Sequence, residues 1–282
     1  IMNRINAYLK TTILIAGLTS ILVLIGYYTG GREGLIIAII FALIFNFFSY
    51  WFSDKIVLTM SNAKASSWDS LPEYKDEVVG LCKNMNIPLP KLYMMDTPQP
   101  NAFATGRNPK NGVVCLTTGL INMLEKDQVI AVIAHELAHI KNYDILIGTL
   151  AAVIVSAISV LVDMLRWLPL NNKDDDRGSN PLVLLAILII SPLLAMILQF
   201  AISRSREYVA DQTAGIYTKK PQALAEALIS IDRDVRQYPM DINNSMHSLF
   251  IHSPISKRGL MELFSTHPLT EKRVQKLMEM KV

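Results

Sequence analysis

The stretch His135-Glu136-Leu137-Ala138-His139 reads H-E-x-x-H within a segment of helical character. Two histidines four residues apart on a helix lie one above the other on the same face. Neutral imidazoles are common ligands of Zn²⁺, and a glutamate between them can accept a proton from a water molecule that the metal activates. The spacing predicts a zinc site built for hydrolysis, with His135 and His139 as ligands and Glu136 as the general base.

The residues before this motif support a buried helix. The segment 127–134 is rich in alanine and branched apolar residues, and Asp127 lies near the predicted helix start, where a negative charge suits the helix dipole. Polar groups on a buried helix cost free energy unless they find a partner, and a metal ion supplies one. The alternative is a pair of core histidines whose rings bond to backbone carbonyls.

Apolar composition predicts a membrane protein. Hydrophobic residues make up 51% of the 282 residues and charged residues 18%, below the roughly 25% of soluble domains. The apolar residues are concentrated in uncharged runs. Each run is close in length to the about 20 residues that a helix needs to cross a hydrocarbon core. We expect four transmembrane helices at about 11–31, 34–53, 145–162 and 181–203. Because 145–162 is marginal in length, a buried core helix is its alternative.

The distribution of positive charge predicts the orientation. The two loops that connect these spans in pairs hold only four of the 27 lysine and arginine residues: Arg32, Arg166, Lys173 and Arg177. The positive-inside rule then places both termini and the polar segments in the cytoplasm. The net charge of +3 is too small to predict a nucleic-acid partner.

The polar segments 54–144 and 204–282 are each small for a domain, but together they have a normal domain size. We expect one cytosolic α+β domain built from both, with a membrane hairpin at 1–53 and a second one inserted at 145–203. The whole chain is then mainly α, with a small antiparallel sheet. The predicted helices are 71–85, 204–217, 221–237 and 270–280, and the predicted strands are 91–96, 101–105 and 113–117, the last two forming a hairpin.

A catalytic zinc site has three protein ligands and an open position for water, so a third ligand is needed. The metzincin pattern is excluded, because Asn142 and Ile145 stand where its glycine and third histidine would be. The other common arrangement takes the third ligand from a glutamate on a second helix, downstream of the motif. Glu207 fits this arrangement, because its helix and the motif helix flank the inserted hairpin. The rival candidates are Asp144, Asp211 and His267. The alternative for Glu207 is a solvated charge paired with Arg204 or Lys219.

Asp211 lies one helical turn after Glu207 and faces the same way. A carboxylate at this position can accept a hydrogen bond from the free N–H of a ligating histidine. We therefore expect Asp211 to orient one of the two ligand rings.

Four segments resemble the HtpX family of bacterial membrane zinc proteases, relatives of the CAAX prenyl-protein endopeptidases. They are N-A-F-A-T-G at 101–106, A-H-E-L-A-H at 134–139, S-R-S-R-E-Y-V-A-D at 203–211, and T-H-P at 266–268 followed by Arg273. The resemblance covers essentially the whole chain and implies a zincin-like (gluzincin) domain. It implies one Zn²⁺ per chain, held by His135, His139 and Glu207, with Glu136 as the base.

The resemblance further implies that an edge strand pairs with extended substrate, and that His267 and Arg273 stand near the scissile carbonyl, where they could donate to an oxyanion. An edge strand captures peptide backbone without demanding a particular side chain. The strand residues are Asn101, Ala102, Phe103, Ala104 and Thr105. The alternatives are a simple turn at 266–268 and a solvated helix charge at Arg273.

Together these expectations describe a zinc endopeptidase of the bacterial cytoplasmic membrane whose active site faces the cytosol. Its expected substrates are damaged or misfolded membrane proteins and some unfolded cytosolic ones. The alternative is a processing peptidase for lipid-modified or specific membrane substrates, although four spans are few for a chamber that holds a prenyl chain. A transporter is disfavoured because the spans lack charged residues, and an inactive scaffold because base and ligands are all present.

Overall fold

The computed structural model describes residues 2–154, 204–237 and 270–282. Within these ranges the helices are α1 (Met2–Met60), α2 (Pro72–Met85), α3 (Thr118–Met123), α4 (Lys126–Lys141), α5 (Asp144–Ile154), α6 (Arg204–Thr218), α7 (Pro221–Gln237) and α8 (Thr270–Met278). The strands are β1 (Lys64–Ser66), β2 (Lys91–Met95), β3 (Ala102–Thr105) and β4 (Val113–Thr117). The prediction of a mainly helical chain with a small sheet is confirmed.

Helix α1 is a helical hairpin that breaks at Gly31, where φ is 59° and ψ is −136°. Its arms contain Ala7–Leu24 and Gly30–Met60, each long and apolar enough to cross a membrane. The arms meet closely at Gly26 and Gly34, where a β-carbon added to Gly34 would lie 2.2 Å from the Gly26 carbonyl oxygen. Glycine is therefore required at this contact, because any side chain would separate the arms.

The surface of the second arm is that of a helix facing lipid. Its large apolar side chains are exposed, among them Ile37, Leu43 and Phe47 at 68%, 65% and 56%. An exposed apolar face of this length indicates a membrane or a partner surface. Between the arms, Asn46 Nδ2 donates to Thr19 Oγ1 at 2.8 Å, which satisfies a polar side chain in the apolar part of the arm.

The third and fourth predicted spans lie mostly outside the described residues. Helix α5 covers the beginning of the predicted span 145–162, and the span 181–203 lies wholly outside. Helices α4 and α5 are bent by 88° at the break between them, and the pair is apolar enough to count together as one broken span. Two spans are thus seen within the described ranges, and a total of four stays a prediction.

The sheet has the strand order β1-β2-β4-β3. Strands β3 and β4 are antiparallel, with Thr105 opposite Val113, so the predicted hairpin is confirmed. Strand β2 is parallel to β4, with Lys91 opposite Val113, and β1 is antiparallel to β2. The prediction of a purely antiparallel sheet is wrong: the returning strand β4 lies between β2 and β3 and runs in the direction of β2.

Both faces of the sheet are buried, because side chains alternate along each strand. Val114 and Leu116 point into the main core, which they share with α2, α4, α6, α7 and α8. Val113 and Cys115 point to the other face, where the end of α1 and part of α5 cover them. Double burial explains why β4 is apolar along its length rather than alternating. The sheet is thus held between the motif helix and the membrane helices.

The two cysteines give a direct test of this core. Both are free and buried, and burial raises the pKa of the Cys82 thiol to about 11 and that of Cys115 to about 12. The thiolate is the reactive form, so we expect iodoacetamide at pH 8 to label neither cysteine in the folded protein and both after denaturation. Intact-mass measurement checks this, and rapid labelling of the native protein would contradict it.

Candidate metal centre

Helix α4 presents the H-E-x-x-H residues from the middle of the fold. It begins with a capping box in which Glu125 and Gln128 satisfy each other's backbone N–H groups. From Val129 to Ala138 every residue is buried, because α2, the sheet, α6 and α7 all contact this helix. Packing on all sides fixes the rotation of α4, and with it the direction of its polar side chains.

Three side chains from two helices converge on one point. Nε2 of His135 lies 3.2 Å from Nε2 of His139. Glu207 of α6 places Oε2 3.5 Å from the first nitrogen and Oε1 3.5 Å from the second. One ligand atom of each residue lies within 4.8 Å of the others. Glu207 is 5% exposed, so it is not a solvated charge.

The group that contacts Nδ1 of each histidine determines whether Nε2, which faces the convergence point, carries a free lone pair. Nδ1 of His135 lies 3.0 Å from Oδ1 of Asp211, close but poorly aligned for a hydrogen bond. Nδ1 of His139 lies 3.1 Å from Oδ2 of Asp144. With protons on Nδ1, both Nε2 lone pairs face each other and the Glu207 carboxylate, an arrangement that requires a cation. Two imidazoles and a carboxylate fit Zn²⁺.

Arg273 of α8 is part of this cluster. It is 2% exposed, which excludes a solvated helix charge. Its Nε and Nη2 donate to the two carboxylate oxygens of Asp211 at 2.8 and 2.7 Å, and Nη1 lies 3.5 Å from Oε2 of Glu207. The guanidinium therefore holds two carboxylates, one that faces a histidine and one that faces the convergence point.

The charges of this cluster shift its pKa values in opposing directions. Burial disfavours the charged form of Asp211, but Arg273 and His135 together outweigh it and lower the pKa of that carboxyl. Burial also disfavours imidazolium at His135, but the adjacent carboxylates of Asp211 and Glu207 raise its pKa to about 9. The His135 ring thus lies where a cation is stabilised, and protons and a metal ion compete for it.

Glu136 lies beside the ligands and has a different environment. It is 4% exposed, and burial raises its pKa above the usual carboxyl value. The nearby backbone N–H of Ala104 in β3 acts against this shift, because it favours the charged form of the Glu136 carboxylate. A carboxylate of raised pKa next to a metal site suits the transfer of protons near neutral pH.

Strand β3 lies at the edge of the sheet, as the prediction for substrate binding requires. The carbonyl of Asn101 accepts from Thr117 N in β4, so the alternate residues Ala102 and Ala104 direct their backbone groups to the free edge. The backbone of Ala104 lies near Glu136, and Ala102 N–H donates to Asn101 Oδ1 at 2.8 Å. The outer edge of β3 therefore lies beside Glu136, and it is buried, with Ala102 0% and Ala104 8% exposed.

Most of the predicted site residues come together in the structure. Those that meet within one buried cluster, or at its edge, are His135, Glu136, His139, Glu207, Asp211, Arg273 and the strand residues Asn101 to Thr105. His267 lies outside the described residues. The rivals Asp144 and Asp211 each face an Nδ1 atom rather than the convergence point, so neither is placed as the third ligand.

Asp144 and Arg206 also contact the cluster, although sequence reasoning named Asp144 only as a rival third ligand and gave Arg206 no role in the site. A ligand role for Asp144 was disfavoured, because a residue five positions after His139 leaves the shared helix face. The structure ends α4 at Lys141 and bends the chain, so that Asp144 contacts His139, and Arg206 Nη1 lies 3.4 Å from Asp144 Oδ1. The one available signal was Asn142, a residue type that often follows the last turn of a helix.

The arrangement around Glu136 indicates the class of protein. A buried carboxylate beside three side chains that could hold a metal ion suits metal-assisted hydrolysis, and the arms of α1 are apolar enough to cross a membrane. The fold and the site are therefore those of a membrane metalloprotease. The chain belongs to peptidase family M48, whose family model matches residues 71–281.

Individual relatives agree with this assignment. A protease HtpX homolog from Desulforapulum autotrophicum is 45% identical over 273 residues, which cover 95% of this chain and 88% of the relative. One from Pyrococcus abyssi is 47% identical over 276 residues, covering 97% and 96%. The resemblance to HtpX proteases that the motifs indicated is confirmed.

A solved structure shares the fold. The crystal structure of S. mikatae Ste24p matches with a TM-score of 0.52 at 21% identity and covers 98% of this chain. The chain spans 66% of the length of that protein. At this identity the likeness concerns the fold alone.

Proposed function

We propose that this chain is a zinc endopeptidase in which His135, His139 and Glu207 bind one Zn²⁺ and Glu136 is the general base. The observation that carries the proposal is the convergence of two imidazole Nε2 atoms and the Glu207 carboxylate, all within 4.8 Å, beside a second buried carboxylate. Two histidines and a glutamate leave one position of a tetrahedral zinc site open for water or substrate.

The chemistry divides between the metal and the chain. Zinc, when bound, supplies a Lewis acid that lowers the pKa of water and polarises the peptide carbonyl. Glu136 accepts the proton of the attacking water and passes it to the departing amine. The raised pKa of Glu136 supports this role, because a stronger base takes the proton more readily and still releases it near neutral pH.

Arg273 and Asp211 keep the ligands in place in this account. Arg273 bonds both oxygens of Asp211 and approaches Glu207, and Asp211 in turn faces Nδ1 of His135. These contacts favour a positioning role for Arg273 over donation to an oxyanion. We retain His267 as the proposed donor near the scissile carbonyl, on the resemblance of its T-H-P segment.

Substrate binds as an added strand at the outer edge of β3, where Ala102 N–H exchanges its bond to Asn101 Oδ1 for one to the substrate backbone. The closeness of the Ala104 backbone to Glu136 supports this placement, because it brings a paired backbone close to the base. Backbone pairing makes few demands on side chains, so we propose that unfolded segments of damaged membrane proteins, and some cytosolic ones, are the substrates.

We further propose that 54–144 and 204–282 form one cytosolic domain at the inner face of the cytoplasmic membrane, with hairpins at 1–53 and 145–203. The shared core of α2, α4, α6, α7 and α8 supports the union of the two segments. The charge distribution supports the orientation.

Metal removal tests the proposed function directly. In detergent, 1,10-phenanthroline should abolish the degradation of β-casein, and added Zn²⁺ should restore it, because the cluster has no other source of Lewis acidity. The non-chelating isomer 1,7-phenanthroline is the matched control. Degradation that continues after verified zinc removal, measured by gel densitometry, would overturn the proposal.

A further inference from the structure

We propose that Asp144 and Arg206 form a positioning pair that orients His139 for metal binding and joins the two ends of the segment 145–203 at the metal site. The inference rests on the proposed zinc site, which it deepens. Asp144 Oδ2 lies 3.1 Å from Nδ1 of His139, and its other oxygen lies 3.4 Å from Nη1 of Arg206. One carboxylate thus links a ligand ring to a largely buried cation.

The same arrangement occurs on both ligand histidines. In each case an aspartate faces Nδ1 of the ring and an arginine pairs with the aspartate. The two series are His135–Asp211–Arg273 and His139–Asp144–Arg206. A carboxylate on the far nitrogen fixes the tautomer and the ring orientation and increases the basicity of the nitrogen that faces the metal. Both ligand rings therefore face a carboxylate that is itself paired with an arginine.

The bend after α4 is what brings Asp144 to His139. On a continuous helix, five residues correspond to a rotation of about 140° away from the histidine. Here the helix ends at Lys141, and Tyr143 has a φ of 63°, a left-handed conformation that is uncommon for an aromatic residue. Helix α5 then begins at Asp144 at 88° to α4. This turn directs the carboxylate back towards the ring.

Among the described residues, the main polar contact of the Arg206 side chain is the one with Asp144. Its side chain is 17% exposed, and Asp144 is the acidic group within ion-pair distance of it in the described ranges. Its Nε and Nη2 are buried and make no hydrogen bond there. A largely buried guanidinium needs a carboxylate, and a carboxylate that contacts a ligand ring needs its charge balanced. Each member of the pair therefore accounts for the burial of the other.

The pair also has a particular place in the chain. Asp144 immediately precedes the segment 145–203, and Arg206 follows it by three residues, next to the ligand Glu207. The contact between Asp144 and Arg206 thus links the two ends of this apolar segment next to the ligand His139. Displacement of either end would move a group that orients the metal site.

Zinc affinity of the full-length protein in detergent is the direct test, measured by competition with a chromophoric chelator. Asp144→Asn should weaken zinc binding about 10–100-fold, the usual effect of losing such an outer contact. Arg206→Gln should weaken it less, and the double variant no more than Asp144→Asn, because the two act as a unit. Asp127→Asn is the matched control: Asp127 lies on α4, the helix that holds His139, and forms an exposed 2.6 Å ion pair with Lys220, so its loss should leave the affinity unchanged.

Cobalt substitution separates positioning from loss of fold. In the Co²⁺ protein, Asp144→Asn should shift the visible absorption bands, because the ligand field that His139 supplies changes. Arg206→Gln should also lose the wild-type spectrum, and Arg206→Lys should keep it. Wild-type affinity and spectrum in both Asp144→Asn and Arg206→Gln would overturn the pair. Complete loss of zinc in Asp144→Asn with zinc retained in a Glu207 variant would also overturn it, by making Asp144 the ligand.

Failure of the pair and failure of the protease proposal give different results. Unchanged zinc affinity in the variants of an active wild-type enzyme would reject only the pair. A wild-type protein that binds zinc but cleaves nothing would reject the protease proposal and leave the affinity measurements valid.

Discussion

Glu136→Gln should abolish proteolysis and leave zinc bound. The substitution keeps the size of the side chain, but it removes the group that takes the proton from water. General-base catalysis contributes about 10²–10⁴-fold, so kcat should fall by at least that range. Zinc content should remain one ion per chain, because Glu136 is not a ligand in this account.

The matched control is Glu77→Gln. Glu77 lies on α2 and forms an exposed 2.6 Å ion pair with Lys126, so its loss should alter neither cleavage nor metal content. Casein cleavage, followed by fluorescence, and zinc, measured by mass spectrometry, give the two readouts. Full activity in Glu136→Gln would reject the glutamate as the base.

Glu207→Ala should release the metal. Among the described residues, Glu207 is the carboxylate that lies 3.5 Å from both Nε2 atoms, and its removal leaves a two-ligand site below the three that catalytic zinc requires. The affinity should fall by more than the about 10–100-fold that outer contacts contribute, and proteolysis should be lost with the metal.

Glu226→Ala is the control for this substitution. Glu226 is an exposed glutamate on α7 that accepts from Gln128 at 3.3 Å, and its variant should retain both zinc and activity. A Glu207→Ala protein with unchanged zinc content would show that another residue completes the site.

The features that the sequence predicted are those encoded by spacing along one helix. His135 and His139 share a face of α4, and Glu207 and Asp211 share a face of α6, so their juxtaposition needed only the meeting of two helices. The β3–β4 hairpin was likewise encoded locally, by a linker with an Asn-Gly pair between two apolar runs.

The features that the sequence did not predict depend on tertiary packing. The parallel pairing of β2 with β4 follows from strand order, which no local pattern specifies. Asp144 reaches His139 through a left-handed residue, Tyr143, that is neither glycine nor asparagine. The contacts of Arg273 arise because α8 packs against α6 and α7, and only the family resemblance had pointed to this arginine.

The identity of the ligands is the central claim, and X-ray absorption at the zinc edge of the purified wild-type protein tests it most directly. We predict one zinc per chain with two imidazole nitrogens at about 2.0–2.1 Å and carboxylate or water oxygens at about 2.0–2.2 Å. Multiple-scattering features of the histidine rings should disappear in part when His139 is replaced. A sulfur shell at about 2.3 Å, which would bring in a cysteine, or a protein that binds no zinc at all, would contradict the account.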